Sequence, residues 1–328
     1  MIDFTKIAIN DHDLRLRLLN DKGIYVRQSE KNVTQLKNMT ITVHESGRVE
    51  IAGSLHKYWN EGQHNYNDFG RLDLWDVVSE LCDWLEIEPQ MANIHNLEFG
   101  LNLIVKFDPS AFLGGLLTYK ATSFCRTAIT GKGSYKQAAQ TQFLIKAYDK
   151  GKQFDGSDNI LRFEMKVIKM EYLPQIQTLA DLMDSDKLTT LGALLADAWS
   201  ECIVVEPLDV QQLTKPEQRT YQLATNAKTW DSLDRAARFR LRAGYMAIVD
   251  KYAKGGRKAE VMDLLKTKWA ELLAIPKACN VLTTVRAAPF ENTEMKRFDR
   301  SNIVSECYII ESENERQYLT TKVNIEHQ

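Results

Sequence analysis

Tyr148 stands in the run Ile145-Lys146-Ala147-Tyr148-Asp149-Lys150. Side chains alternate across a strand, so Lys146, Tyr148 and Lys150 share a face if extended structure continues to Lys150. A free phenol has a pKa of about 10 and is a weak nucleophile at neutral pH. Flanking ammonium groups are expected to favour the phenolate and to attract phosphate, which suits attack on a phosphodiester. The plainer reading is a strand tyrosine beside solvated lysines. The run Leu161-Arg162-Phe163-Glu164-Met165-Lys166 alternates in the same way, with Arg162, Glu164 and Lys166 on one face and the apolar residues on the other. In Leu97-Glu98-Phe99-Gly100-Leu101-Asn102, the residues Glu98, Gly100 and Asn102 share a face. Two strands that each present a carboxylate to one patch can hold a Mg²⁺-like ion through oxygen ligands. They can equally form cross-strand salt bridges with neighbouring lysines. Gly100 is expected to leave open space above the sheet, where a ligand backbone can approach.

Other polar positions have two readings each. His56 and His64 lie in an Asn-rich segment with Asn60, Asn65 and Asn67. They can ligate a metal, bind phosphate or simply face solvent. Tyr58, Trp59 and Tyr66 can stack on unpaired bases or pack the core. Gly131-Lys132-Gly133-Ser134 lacks the lead-in and the following helix of a nucleotide-binding P-loop, and reads as a basic loop able to touch a nucleic-acid backbone. No HExxH, CxxC or Ser-His-Asp ordering is present.

The elements that must hold these residues are strands with interposed helices. Thr5–Ile9 alternates as a half-buried strand does. Met39–His44 and Arg48–Ala52 flank Glu45-Ser46-Gly47, a hairpin turn with glycine supplying positive φ. The segment His56 to Asp68 reads as a polar loop. Leu72–Leu85 carries apolar residues at helical spacing. Leu97–Phe107, Gln142–Tyr148 and Ile160–Ile168 read as strands, and Pro109 opens a helix over Ser110–Tyr119. Beyond about Tyr172 the pattern is helical: Thr178–Met183, Thr189–Cys202, Pro216–Ala227, and the long basic segments Trp230–Tyr252 and Arg257–Leu273. The expected fold is α+β, an antiparallel sheet with flanking helices followed by a mainly α-helical C-terminal region. The expected division is residues 1–175 and 176–328, the second ending in a polar tail.

Composition fits a globular protein: 328 residues, 44% hydrophobic and 26% charged. That excludes a disordered chain, a collagen-like fibre and a small disulfide scaffold. With 42 Lys and Arg against 44 Asp and Glu, the net charge of −2 advertises no nucleic-acid partner. Any basic surface must come from uneven distribution. No stretch approaches the roughly 20 apolar residues of a membrane helix, and the N-terminus does not read as a signal peptide. Cys82, Cys125, Cys202, Cys279 and Cys307 are scattered, as expected of reduced thiols in a cytosol.

Four segments in order carry a resemblance. They are Ser54-Leu55-His56-Lys57-Tyr58-Trp59-Asn60 with Asn65 to Phe69, then Leu97 to Asn102, then Lys146 to Gln153, then Leu161 to Lys166. Together they resemble the rolling-circle replication initiators of filamentous phages (gene II type) and related plasmid proteins, within the HUH-type nicking enzymes. The resemblance spans roughly residues 38–270. It implies a Rep-like sheet and a protein that nicks and rejoins single-stranded DNA at an origin through a 5′-phosphotyrosine. Tyr148 would be the nucleophile, with Lys150 or Lys166 on the scissile phosphate. Glu98, Glu164 and His56 would hold Mg²⁺ or Mn²⁺. Lys57, Asn65, Asn102, Lys132, Lys146, Arg162, Arg238 and Arg242 would contact DNA. The His-hydrophobe-His motif of the wider class is absent, with Glu98-Phe99-Gly100 at that place. Implied partners are single-stranded origin DNA and a host helicase and polymerase, in a bacterial cytosol with no membrane. The alternatives are a DNA-binding regulator that keeps the fold without the nick, and a protein whose Arg-rich helices bind a protein partner.

Overall fold

The structure is a computed structural model that describes residues 1–21, 26–28, 31–125, 134–154, 158–253 and 255–275. The strands are β1 (Ile2–Asn10), β2 (Val26–Gln28), β3 (Lys31–Leu36), β4 (Met39–His44), β5 (Arg48–Ser54), β6 (Asn93–Ile104), β7 (Leu116–Tyr119), β8 (Thr122–Ser123), β9 (Tyr135–Ala139), β10 (Phe143–Asp149), β11 (Ile160–Val167) and β12 (Cys202–Val204). The helices are α1 (His12–Asp21), α2 (Leu55–Trp59), α3 (Arg71–Leu85), α4 (Pro109–Gly114), α5 (Lys150–Gln153), α6 (Ser185–Ser200), α7 (Lys215–Thr225), α8 (Ala227–Ser232), α9 (Arg235–Tyr252) and α10 (Arg257–Leu273). Nine strands form one sheet in the order β2-β3-β4-β5-β1-β6-β11-β10-β9, and β12-β7-β8 form a small second one. Every described pairing of these strands is antiparallel. The fold is α+β, as the alternation of apolar residues predicts.

The three strands that carry Glu98, Glu164 and Tyr148 are adjacent, β6-β11-β10. Their alternate residues Leu97, Phe99, Leu101, Leu103, Leu161, Phe163, Met165, Ile145 and Ala147 are buried. Helices cover this apolar side. Trp199 of α6 meets the Phe163 ring edge-on at 4.9 Å, and Trp269 of α10 meets Phe99 edge-on at 6.3 Å. Trp269 also donates its indole N–H to the Leu188 carbonyl at 3.0 Å. Its ring lies so close to Gly192 that no larger residue fits there. These aromatic anchors fix the sheet by burial, since each large ring removes roughly 150–250 Å² from water. Residues Met1–Leu273 form one compact unit, and a smaller core of Leu117, Ile203, Ala224, Trp230, Tyr245 and Val249 ties α7, α8 and α9 to β7 and β12. The remaining unit, Ala274–Gln328, holds the polar tail, which falls outside the described residues beyond 275.

Several boundaries differ from expectation for local reasons. The Pro109 helix stops at Gly114, and Leu116–Tyr119 pairs as a strand instead. Trp230–Tyr252 is broken at Leu233, because Asp234 caps a new helix by accepting from the Ala237 amide at 2.7 Å. The segment after Ser54 begins as helix rather than loop, capped by the Ser54 hydroxyl on the Lys57 amide at 3.0 Å. Gly47 has φ +94° in the β4–β5 turn, as that hairpin requires.

Gly100 does not open a space above the sheet. A Cβ there would overlap the Glu164 Cβ and the Phe163 carbonyl oxygen and lie 2.6 Å from the Glu164 Cα. Glycine is present because β11 presses against β6 at that point. Gly100→Ala is therefore expected to cost about 1–3 kcal/mol through overpacking, read as a lower urea midpoint. An unchanged midpoint would show that the two strands can separate at no cost.

Candidate nucleic-acid cleavage site

The register sets three rows across the polar side of the sheet. Tyr148, Arg162 and Asn102 are aligned; Lys146, Glu164 and Gly100 form the next row; Leu144, Lys166 and Glu98 form the third. The tyrosine and both glutamates thus occupy one face of three adjacent strands. Asp3 joins them from β1. There the pairing with β6 moves from Ile2↔Phe99 to Thr5↔Leu97, so β1 carries one extra residue. A bulge of this kind re-aims a side chain, and Asp3 reaches Arg162.

Arg162 is the hub. Its Nε donates to Glu164 at 2.5 Å, and its two terminal nitrogens donate to Asn102 at 2.9 Å and to Asp3 at 2.7 Å. Lys146 Nζ bridges Glu98 at 2.7 Å and Glu164 at 2.9 Å, and Lys166 Nζ holds the other Glu98 oxygen at 2.5 Å. Burial raises the Glu164 pKa, but Lys146 and Arg162 outweigh it and hold the carboxyl down at about 2. For Asp3 too, burial pushes upward and Arg162 wins, leaving it below the usual carboxylate range. Burial acts against the Lys146 charge, and the two glutamates overcome it, so its pKa lies above that of a free lysine. The cross-strand salt bridges anticipated as one reading of Glu98 and Glu164 are thus both formed.

Tyr148 is half-buried, with its hydroxyl 3.4 Å from Glu164 Oε2. Burial raises its pKa well above the usual value, and the Glu164 carboxylate raises it further. The expected phenolate is therefore not favoured in the resting protein, because the Lys146 ammonium is held by carboxylates. Lys150 behaves in the opposite way. The strand ends at Asp149, so Lys150 opens α5 instead of extending the strand face. It is buried, donates to Asn65 Oδ1 at 2.7 Å, and lies 5.5 Å from the centre of the Tyr148 ring. Burial, with help from the Arg162 charge, lowers its pKa to about 7. Tyr135 of β9 lies directly across from Tyr148, with ring centres 5.6 Å apart, and its hydroxyl donates to Gln137 at 3.1 Å. Sequence reading missed Asp3 and Tyr135. An acid set between Ile2 and Phe4 at the head of β1 is the signal that could have found Asp3.

Several residues expected on DNA are engaged by acceptors and donors of the protein itself. All three donor nitrogens of Arg162 are held by protein acceptors. Asn65 is buried between Asp3 at 2.8 Å and Lys150. Asn102 accepts from Arg162 and donates to the Asn65 and Tyr66 carbonyls at 3.2 and 3.0 Å, which anchors the loop after α2. Arg238 donates to the Ala121 and Asp231 carbonyls, and Arg242 to the Ser200 and Glu201 carbonyls. These five orient neighbouring segments because their donors and acceptors match nearby backbone and side chains. Lys57 is half-buried and makes no ion pair among the described residues. Lys132 lies outside the described residues. Tyr58 is in the core, with its hydroxyl on Glu80 at 3.1 Å.

The divalent ion implied by the resemblance can be tested against the donor set. Glu98 and Glu164 already clasp one cation, the Lys146 ammonium. A hard ion such as Mg²⁺ commonly takes one or two carboxylates and completes its shell with water and substrate phosphate. The two glutamates fit such an ion if Lys146 yields its place. His56 does not complete a set with them: its Nε2 lies 2.8 Å from Asn67 Oδ1 and its ring stacks on Phe69 at 4.9 Å. Burial, aided by the N-terminal charge, lowers its pKa to about 3 and keeps it neutral. Among the described residues no three His, Cys, Asp or Glu side chains surround a common point.

No protein-family model matches the chain, and no curated protein matches it. Among solved structures, the chain is similar to a rolling circle replication initiator protein from Geobacillus stearothermophilus, at 10% identity and a TM-score of 0.35, over 67% of this chain and 90% of that one.

Two outcomes follow from the charges. Between pH of about 7 and the free-lysine value of 10.5, the unfolded chain binds a proton at Lys150 that the folded chain does not. Stability should therefore rise with pH there by about 1.4 kcal/mol per unit from this group. The penalty is complete below the lower value. Lys150→Met should remove that rise, read from urea midpoints across the interval; an unaltered slope would contradict it. Lys146→Met leaves two carboxylates facing each other and should cost about 3–5 kcal/mol. In that variant Mn²⁺ should raise the melting temperature more than in the parent protein. Equal shifts would mean that the ion and the ammonium do not share a site.

Proposed function

We propose that this protein is a replication initiator that nicks and rejoins single-stranded DNA through Tyr148, starting rolling-circle replication. The observation that carries the reading is the convergence of the Tyr148 hydroxyl and the Glu98 and Glu164 carboxylates on one face of β6, β11 and β10, with Lys150 Nζ beside the Tyr148 ring. The ordered motif resemblance supports the same reading.

Catalysis needs the phenol to lose a proton as it attacks. Glu164, near 2, is a weak base. Lys150, near 7, is matched to proton transfer at neutral pH. In the proposed step Lys150 takes the Tyr148 proton and becomes the ammonium that faces the phosphate. The tyrosine oxygen bonds to phosphorus, the bond from phosphorus to the 3′ oxygen breaks, and that oxygen leaves as a hydroxyl on taking a proton from the Lys150 ammonium, which returns to the amine. The product is a 5′-phosphotyrosine and a free 3′ end that primes a host polymerase. Attack of a 3′ hydroxyl on the phosphotyrosine reverses the step and closes a strand without ATP. Glu98 and Glu164 would hold Mg²⁺ or Mn²⁺, which when bound polarises the phosphate and offsets its growing charge. Lys166, which rests on Glu98, would contact the same phosphate.

Partners in this reading are origin DNA and a host helicase and polymerase, within a bacterial cytosol. No described helix is long and apolar enough to cross a membrane.

The test is an adduct assay with single-stranded origin DNA and Mn²⁺, read by intact mass. The parent protein should gain the mass of the 5′ fragment, and Tyr148→Phe should form none while binding the strand about as well. A normal adduct in that variant would overturn the assignment. A mobility shift with no adduct in the parent protein would instead favour a DNA-binding regulator.

A further inference from the structure

Three large aromatic side chains are exposed among the described residues: Tyr66 (47%), Phe154 (39%) and Phe239 (73%). Two of them touch each other. The Tyr66 and Phe154 rings meet edge-on at 5.3 Å, and His64 stacks beneath Tyr66 at 4.0 Å with planes 21° apart. Phe239 of α9 meets no other ring among the described residues. Exposing two apolar rings in contact keeps surface in water that burial would stabilise, and such patches mark binding surfaces.

Their location names the ligand. Phe154 follows α5, the helix that opens at Lys150 directly after the Tyr148 strand. Lys150 Nζ lies 4.8 Å from the Phe154 ring centre and 5.5 Å from that of Tyr148, so one side chain links shelf and nucleophile. Tyr66 is held from the other side. Its carbonyl accepts from Asn102, and the preceding Asn65 bridges Asp3 and Lys150. Lys57, which has no ion pair among the described residues, adds positive charge felt by Lys150. A flat apolar surface beside cations is complementary to a nucleobase attached to phosphate.

We propose that Tyr66, backed by His64 and joined by Phe154, is a stacking shelf for the unpaired nucleobase next to the phosphate that meets Tyr148. This rests on the strand-cleavage reading for its substrate. Duplex DNA keeps its bases stacked on each other, so the shelf favours single strands. Among the described residues Phe239 has neither a second ring nor Tyr148 or Lys150 beside it, and it takes no part.

The experiment uses an oligothymidylate with 2-aminopurine at one position, tiled along the strand, and reads quenching of its fluorescence together with affinity. In the parent protein one or two adjacent positions should quench strongly. Tyr66→Ala with Phe154→Ala should abolish that quenching and weaken single-strand binding by about 5- to 100-fold, the range of one stacked base. Tyr66→Phe should retain both signals, since the ring remains. Phe154→Leu keeps apolar surface without a ring and should lose most of the quenching. Unchanged quenching in the double variant, or full quenching in Phe154→Leu, overturns the shelf. These readouts concern binding alone. A protein that quenches normally but forms no tyrosine adduct would sink the cleavage reading and leave the shelf standing.

Discussion

The guanidinium of Arg162 is the constraint on which the polar face depends. A cation buried in a sheet is tolerated only when its donors are matched and its charge is offset. Here one planar fork reaches Glu164 on its own strand, Asn102 on β6 and Asp3 on β1. Each acceptor then makes a further demand. Glu164 and Glu98 require Lys146 between them, and Asp3 requires Asn65 and the Ser54 hydroxyl. Asn65 in turn receives Lys150. The loop after α2, the first helical turn after β10 and the β1 bulge are therefore positioned by one satisfied network.

That arrangement divides the ionisable groups into two kinds. Arg162, Lys146, Glu164 and Asp3 are locked into their charged forms by one another. Tyr148 and Lys150 lie at the margin, where burial works against charge on either. The phenol is held neutral and the amine is drawn toward neutrality. The paired ions set a fixed field, and these two groups are the ones in it whose charge is not fixed.

Much of this was legible as a linear pattern. Alternation of period two in Leu97–Asn102, Lys146–Tyr148 and Leu161–Lys166 was enough to assign each face, because all three strands are regular there. The hairpin at Gly47 and the helix Arg257–Leu273 were equally plain. What escaped were irregularities and partners. Asp3 enters through a register shift that no periodicity reports. Lys150 leaves the strand and changes its environment from solvent to interior. The inward turn of Arg162, Asn65 and Asn102 could not be read, because exposure on a sheet face depends on what covers it, and the covering loop is distant in sequence. Gly100 was recognised as special for the wrong reason: it marks close contact with the neighbouring strand, not a vacancy.

The extra residue near the start of β1 has a wider consequence. Side chains on a strand have a period of two, so insertion or loss of one residue reverses which side they face. The bulge between Ile2 and Thr5 allows the apolar stretch Ile7–Ile9 to keep its seat in the interior while an acid upstream is delivered to the opposite side of the same strand. Spacing, more than composition, is thus the inherited quantity in that segment. Loss of one residue there would turn Asp3 away from Arg162 and leave that buried cation short of an acceptor.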